Sequence, residues 1–202
     1  MKPTELLRSE HRVIEQMLSV LEKLRGWPED HPFPQADAEA AIGFFRRFAD
    51  RCHHGKEEGL LFPAMERKGF PRETGPIGVM LQEHEVGRGH VRGMAEALER
   101  LWSGDVEARP IFCQHARAYI DLLREHIYKE DNILFMMAEQ AFSTQDQQQL
   151  FEEFHQTEQT TMEPGEHERW VQTAQQLAHK YGVAASAQTA PTSSSGCGWQ
   201  DR

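Results

Sequence analysis

The first half of the sequence returns in its second half at a fixed offset of 73 residues, and the residue types that are kept are those that bind metal ions. Glu10-His11 corresponds to Glu83-His84, and Glu58 corresponds to Asp131 with its charge kept. The other matched polar residues are His53, Lys56 and Glu57 in the first half and His126, Lys129 and Glu130 in the second. Matched apolar residues would indicate repeated packing only. Matched histidines and glutamates at helical spacing instead predict a metal site with two-fold pseudo-symmetry.

Apolar residues recur at helical spacing along the chain, and no segment alternates as a β-strand would. In the first of these stripes a histidine interrupts an otherwise apolar face, which consists of Leu7, His11, Ile14, Leu18 and Leu21. Four such stripes, separated by Gly and Pro, predict long helices over residues 4–25, 37–68, 77–102 and 106–141. We therefore expect an all-α fold, with an up-down-up-down four-helix bundle over residues 1–141.

Beyond the bundle, the sequence predicts a helical extension over residues 142–183 that packs beside it. Ser143-Thr144-Gln145-Asp146 resembles a capping box, which would begin a helix that ends near residue 160, and a second helix is expected from Pro164 to about Tyr181. Residues 184–202 are rich in Ala, Ser, Thr and Gly and are predicted to be a disordered tail. Within the bundle, Pro63 should disturb the second helix, because Gly59 loses its hydrogen-bond partner.

The spacing of the histidines and glutamates brings them to one level of the predicted bundle. Two residues at i and i+4 differ by only about 40° in direction, so each His-x-x-x-Glu pair projects together. In an antiparallel hairpin the lone histidine of the first helix lies roughly 21 Å from the turn, and the histidine of the second helix lies roughly 24 Å from it. The second hairpin behaves in the same way. Packing the two hairpins face to face closes a site of six residues: His11, His53, Glu57, His84, His126 and Glu130.

Four imidazoles and two carboxylates are too many ligands for one ordinary metal ion. They suit two ions, each with two histidines, that share bridging carboxylates from Glu57 and Glu130. This mixture of nitrogen and hard oxygen donors fits iron best, manganese next and zinc third. Without a metal, the two carboxylates would be buried at a cost of several kcal/mol each, which favours occupancy of the site.

Composition excludes several other classes of function. The net charge of −10 would repel phosphate backbones, so nucleic acid is not an expected partner. No apolar run is long enough for a signal peptide or a membrane span. The three cysteines are odd in number and form no CxxC pair, which predicts free thiols and a cytoplasmic location. Cys52 is expected to be a packed thiol, and Cys197 an exposed one in the tail.

The same residues make the chain similar to hemerythrin-like, HHE-type cation-binding proteins. The matching segments are Glu10-His11, 53–58 followed by 61–63, Glu83-His84, and 126–131 followed by 134–135. This resemblance implies a four-helix bundle that holds a non-heme di-iron centre. Oxygen-carrying hemerythrins have a fifth histidine one turn after that of the third helix, where this chain has Arg88, which argues against simple oxygen carriage. The set of four histidines and two glutamates is more similar to di-iron proteins that repair iron–sulfur clusters and to peroxide- or nitric-oxide-reactive relatives.

Several polar residues near the six are given lesser roles. His54 and Glu58 should point about 100° away from the ligand face, where they could only support the ligands. Arg88 and Glu15 occupy equivalent positions in the two halves and are candidates to line the entrance or to pair across the bundle. Tyr119 is interpreted as a core tyrosine with a hydrogen-bonded hydroxyl, with a redox or proton-relay role as the alternative. The histidines assigned to the surface are His90, His155, His167 and His179.

The preferred function is binding of and redox reaction with O₂, NO or H₂O₂ during oxidative or nitrosative stress, which leaves open whether the protein is an enzyme. Apolar walls should limit water and admit such small molecules; they are Leu7, Ile14, Leu60, Met80, Val91 and Ile133. One alternative is a non-catalytic sensor or carrier of O₂ or iron that signals to a protein partner through the C-terminal helices or the tail. Another is an iron donor for damaged iron–sulfur clusters.

Overall fold

The computed structural model describes residues 1–184 of the 202-residue chain. These residues form helices joined by turns, with no β-strand among them, so the all-α prediction is confirmed. None of the described helices is long and apolar enough to cross a membrane. The predicted tail over 184–202, with Cys197, lies outside the described residues except for its first residue.

Four long helical runs form the bundle, and each lies within two residues of its predicted bounds. The first and third are α1 (Pro3–Arg25) and α4 (Gly75–Trp102). The second is a continuous run of α2 (Gln35–Phe44), π1 (Phe45–His54), π2 (Glu57–Leu61) and α3 (Phe62–Arg67). The fourth consists of α5 (Ala108–Lys129), π3 (Glu130–Leu134) and α6 (Phe135–Ala141). Two further helices follow, α7 (Thr144–Thr161) and α8 (Glu166–Lys180).

Two of the π-helical segments, π2 and π3, begin 73 residues apart and end 73 residues apart, so they follow the repeat over their whole length. The predicted disturbance around Pro63 is therefore confirmed, but proline does not account for it alone. Met136 occupies the position that corresponds to Pro63, and the same π-helix forms there without a missing N–H group. Short π-helical insertions are frequently found at functional sites, and each of these two begins at a glutamate of the predicted metal site.

The wide turns of π2 and π3 change which residues face the core. Leu60 and Ile133 were predicted to line the site, but Leu60 is only half-buried and Ile133 is 50% exposed. Leu61 and Leu134 are buried in their place, because a π-helix has more residues per turn than the regular helix on which the prediction rested. The other predicted wall residues are buried: Leu7, Ile14, Met80 and Val91.

The core consists of two apolar layers with the predicted site between them. One layer includes Ile14, Ala49, Val91 and Leu123 from the four bundle helices. The other layer includes Leu7, Leu61, Met80 and Leu134 from the same helices. In the first three bundle helices the predicted metal-binding residues fall between the contributions to the two layers, and in the fourth helix they lie next to Ile127 of one layer and before Leu134 of the other. The structure thus places the predicted residues at the level where the hairpin argument put them.

The C-terminal helices share this core. The capping box predicted at Ser143 is present, since its hydroxyl accepts the N–H of Asp146 and the Asp146 carboxylate accepts the N–H of Ser143. Helix α7 buries Leu150 and Phe154 in one apolar layer, and α8 contributes Ala174, Leu177 and Ala178 to the other. A two-pronged ion pair between Arg47 and Glu166, at 2.7 and 2.9 Å, fixes the start of α8 on the second bundle helix.

Phe154 is fully buried, so we expect Phe154→Ala to destabilise the protein by about 3–5 kcal/mol through the cavity that it leaves. Denaturant unfolding followed by circular dichroism measures this change. Phe151→Ala, at a half-buried position on the same helix, is the matched control and should cost clearly less. Equal losses for the two variants would show that α7 adds no more to the core than a surface helix does.

Candidate metal centre

The structure brings the six predicted residues together in the polar layer. Each of them is at most 1% exposed; they are His11, His53, Glu57, His84, His126 and Glu130. The imidazoles form two close pairs, one between the first and second bundle helices and one between the third and fourth. The ring centroids of His11 and His53 lie 4.6 Å apart, and those of His84 and His126 lie 4.8 Å apart.

Each carboxylate lies between one imidazole from the first half of the chain and one from the second. The two oxygens of Glu57 lie 3.6 Å from His53 Nε2 and 3.6 Å from His84 Nε2. Glu130 Oε2 lies 3.1 Å from His11 Nε2 and 3.3 Å from His126 Nε2. These are the positions that bridging carboxylates would take between two ions.

Two groups of buried side chains could each hold a metal ion, because their donor atoms lie within 4.8 Å of one another. One group contains His11, His53, Glu57 and Glu130, and the other contains His54, Glu57, His84 and His126. The donors also fit a metal chemically. All four carboxylate oxygens of Glu57 and Glu130 are buried and accept no hydrogen bond within residues 1–184. Leaving such oxygens unpaired is expensive, and a cation is the partner that removes the cost.

A second layer of carboxylates turns every imidazole of the six towards the centre. His53 Nδ1 donates to Glu10 at 2.9 Å, and its repeat counterpart His126 donates to Glu83 at 2.9 Å. The remaining two imidazoles follow the same pattern: His84 donates to Glu58 at 2.6 Å and His11 donates to Asp131 at 2.9 Å. A carboxylate on Nδ1 fixes the tautomer and leaves Nε2 free for a metal.

Sequence reasoning gave a supporting role only to Glu58 among these carboxylates, although the repeat contained the signal for all four. Lys56 and Lys129 also follow the offset, because Lys56 donates to Glu10 and Lys129 donates to Glu83. The duplicated Glu-His and Lys-Glu motifs therefore repeat a chain of hydrogen bonds on each side of the site, in which a carboxylate accepts from both a lysine and an imidazole. We call Glu10 with Lys56 the first arm and Glu83 with Lys129 the second arm.

The prediction for His54 was wrong. Its ring stacks on that of His84, with 3.8 Å between centroids, and it is 5% exposed. The prediction assumed regular α-helical rotation, whereas π1 carries both His53 and His54 into the bundle. The residue 73 positions later is Ile127, in regular α5, so this third imidazole belongs to one half of the site only.

Burial and neighbouring charges together set the protonation states of the residues in the polar layer. Burial lowers the pKa values of His53, His54 and His84 to about 4, which keeps these rings neutral at pH 7. Burial and then the charge of Glu130 hold the pKa of Glu57 well above its ordinary value. Burial alone would raise the pKa of Glu130, but the charges of His126 and His11 and the hydrogen bonds with both rings together outweigh burial and hold the pKa well below its ordinary value.

Other residues outside the six depart from their predicted places. His167 was assigned to the surface, but its Nε2 lies 3.5 Å from Glu10, because α8 folds back over this arm of the site. Arg88 pairs across the bundle with Asp50 at 2.8 Å and with Glu58 at 2.7 Å, whereas Glu15 is exposed. As predicted, His155 and His179 are exposed and Cys52 is buried. His90 was assigned to the surface but is half-buried, and its Nδ1 lies 3.2 Å from Nδ1 of His115. Tyr119 is buried with its ring edge on Phe45, and among the described residues no hydrogen bond of its hydroxyl is found.

An all-α bundle with a buried layer of histidines and carboxylates between two apolar layers defines a class of helical metal-binding protein. The family comparison is more specific. Residues 2–138 match the family described as the hemerythrin HHE cation binding domain, and the chain belongs to this family. The resemblance seen in the motifs is thereby confirmed.

Curated relatives add similarity without a function. The chain is 27% identical over 157 residues to the uncharacterized proteins Rv1995 of Mycobacterium tuberculosis and Mb2018 of Mycobacterium bovis. The match covers 77% of this chain and 60% of each relative, so it spans less than two thirds of their length. No solved structure gives a significant match.

Proposed function

We propose that the protein is a non-heme di-iron protein that binds and reacts with O₂, NO or H₂O₂ in oxidative or nitrosative stress. The proposed ligands are His11, His53, Glu57, His84, His126 and Glu130. The observation that supports this most directly is that Glu57 and Glu130 each lie between imidazoles of different pairs. The iron pair, when bound, supplies redox chemistry towards small oxidants.

The surrounding residues are suited to this task. The apolar layers on both sides exclude water from the polar layer, which strengthens every electrostatic interaction within it. Four carboxylates on the Nδ1 atoms hold the imidazoles in one orientation and make them stronger ligands. The donors are nitrogen and carboxylate oxygen with no thiolate among them, which favours iron over zinc and leaves manganese as the second choice.

We also propose a cytoplasmic location. Cys52 and Cys113 are free thiols in the described part of the chain, which is typical of a reducing compartment. Burial raises the pKa of the Cys52 thiol to about 12, so this residue stays protonated and takes no part in thiol chemistry beside the site.

Metal analysis of anaerobically purified protein, followed by its visible spectrum after one equivalent of peroxide, tests the proposal. We expect two irons per chain and new absorption bands that decay as product forms. The His126→Ala variant, which lacks one proposed ligand, is the control and should show no such bands. Protein that is replete with another metal, or that contains iron but gives no response to peroxide, O₂ or NO, would contradict the proposal.

The same measurements separate the alternatives. A stable spectral change without turnover would favour a sensor or carrier. Rapid transfer of iron to an apo iron–sulfur protein would favour a donor for cluster repair. The depth of the site, in which all six proposed ligands are buried, argues for slow release of iron and hence against the donor.

A further inference from the structure

The two halves of the chain repeat the inner site but differ in what covers it. The first arm, Glu10 with Lys56, is sealed: Lys56 is 0% exposed, and Glu158 of α7 accepts a hydrogen bond from its Nζ at 3.0 Å. His167 of α8 covers Glu10 on the same side. In the second arm, the side chains of Glu83 and Lys129 are 17% and 31% exposed. The C-terminal helices therefore close one side of the site and leave the other side open.

A cavity of about 200 Å³ lies on this open side, between the second, third and fourth bundle helices. Its polar lining includes Asp50, His54, Glu83 and Arg88, and its apolar lining includes Phe45, Val91 and Leu123. Since one water molecule takes about 30 Å³ in the liquid, a cavity of about 200 Å³ has room for roughly six water molecules, and therefore for a diatomic molecule, peroxide or azide.

One glycine accounts for part of the space in this cavity. Gly87 lines it, one turn after His84 on α4. The residue 73 positions earlier is Ile14, which is 1% exposed and fills the corresponding space in the sealed half. A Cβ atom on Gly87 would lie 3.4 Å from the ring of Tyr119, which also lines the cavity, so a larger side chain at this position takes up space beside the cavity wall.

His54 connects the cavity to the centre. It lines the cavity, and it also belongs to the donor group with Glu57, His84 and His126. Its ring stacks against His84, so a molecule in the cavity that contacts His54 is one ring away from a proposed ligand of the metal.

We propose that small exogenous ligands reach the centre through this cavity, on the side of His84 and His126, and that His54 lies between the cavity and His84. The proposal rests on the proposed function. The ligand class is a molecule of two or three heavy atoms, neutral or with a single negative charge. Phe45, Val91 and Leu123 favour a neutral diatomic or peroxide, while Arg46 and Arg92 in the same lining tolerate a small anion.

Azide binding to the iron-loaded full-length protein, followed by absorbance, tests this route. Gly87→Leu introduces a bulky side chain like that of Ile14 in the sealed half and should slow azide association about tenfold or more, because the added side chain narrows the route that the ligand takes. Gly89→Leu is the matched control, since this position on the same helix faces open space. It should bind azide like the wild type, and both variants should keep their iron.

An unchanged rate of azide association in iron-replete Gly87→Leu would overturn the proposal and leave the proposed function intact. If Gly87→Leu does not fold or hold iron, Gly87→Ala replaces it, because a single methyl group fits beside Tyr119; azide association should then be slower than in Gly89→Ala, and equal rates would overturn the route. Iron-replete wild-type protein that binds neither azide nor NO would instead overturn the proposed function.

Discussion

Replacing His126 by alanine should remove at least one of the two metal ions from each chain. His126 Nε2 lies 3.3 Å from Glu130 and 3.1 Å from His84 Nε2. The substitution removes this nitrogen donor, so the metal ion on that side has one proposed ligand fewer. The cavity left by the ring is also lined by unpaired carboxylate oxygens, which costs stability. Iron per chain, measured by elemental analysis after purification from iron-rich medium, should fall to half of the wild-type value or less.

The internal repeat supplies a second variant with the same expected result. His53 is the counterpart of His126, with the same contact to a glutamate four residues later and the same carboxylate on Nδ1. His53→Ala should therefore lower the iron content to a similar degree. His179→Ala, at an exposed position on α8, is the control and should leave the iron content unchanged. Full occupancy in both His53→Ala and His126→Ala would remove this pair from the list of ligands.

The carboxylates behind the imidazoles should give a smaller loss. Glu83→Gln leaves all six proposed ligands in place but removes the charge that orients His126. Such changes behind a ligand lower metal affinity about 10–100-fold. The contrast between Glu83→Gln and His126→Ala thus distinguishes orientation from coordination.

Periodicity along single helices was enough to predict the bundle and the level of the site. It worked because each predicted ligand interrupts an apolar face, and two layers of apolar residues then fix the polar layer between them. It failed where the helix departs from the regular geometry that the method assumes. The π-helical turn after Glu130 carries Leu134 into the core in place of Ile133, and π1 carries His54 into the site.

The contacts that the C-terminal helices make with the site were beyond that reasoning. His167 belongs to a helix that is separate from the repeat, and only the folding back of α8 brings it to Glu10. No pattern in the sequence states which face of the bundle this helix covers. The asymmetry between the sealed and the open arm is therefore visible in the structure alone, although the difference between Ile14 and Gly87 was present in the repeat.

Chelation of the metal should make the stability of the protein depend strongly on pH, with a maximum near pH 6.5. The pKa values of His53, His54 and His84 are lowered to about 4 from an ordinary value of about 6.5. Between these values the unfolded chain binds protons that the folded chain does not, so stability falls as the pH falls. For each imidazole the free energy of unfolding falls by about 1.4 kcal/mol per pH unit as the pH is lowered through this range. Above pH ~4.5 the raised pKa of Glu57 has the opposite effect and cancels the contribution of one of the three imidazoles.

Above pH 6.5 the sign reverses. Burial would lower the pKa of His126, but the charge of Glu130 and the contact with Glu83 raise it to about 9. The stability from this group is fully present below about pH 6.5 and is lost as the pH rises towards 9, and ionisation of the buried Glu57 acts in the same direction. Denaturant unfolding of chelated protein at pH 5, 6.5 and 8.5 should show the highest free energy of unfolding at the middle value.

Glu57→Gln makes the origin of the alkaline loss testable. In chelated protein at pH 8.5 this variant should be more stable than the wild type, because it removes a buried carboxylate whose oxygens accept no hydrogen bond within the described residues. In iron-loaded protein the order should invert, since the variant has lost a proposed bridging ligand and with it the stability that metal binding adds to the folded state. If the variant is more stable than the wild type without metal and less stable with metal, the same carboxylate must destabilise the metal-free protein and bind the metal in the loaded protein. If Glu57→Gln is less stable than the wild type in both states, Glu57 has a partner other than a cation, and its bridging role is wrong.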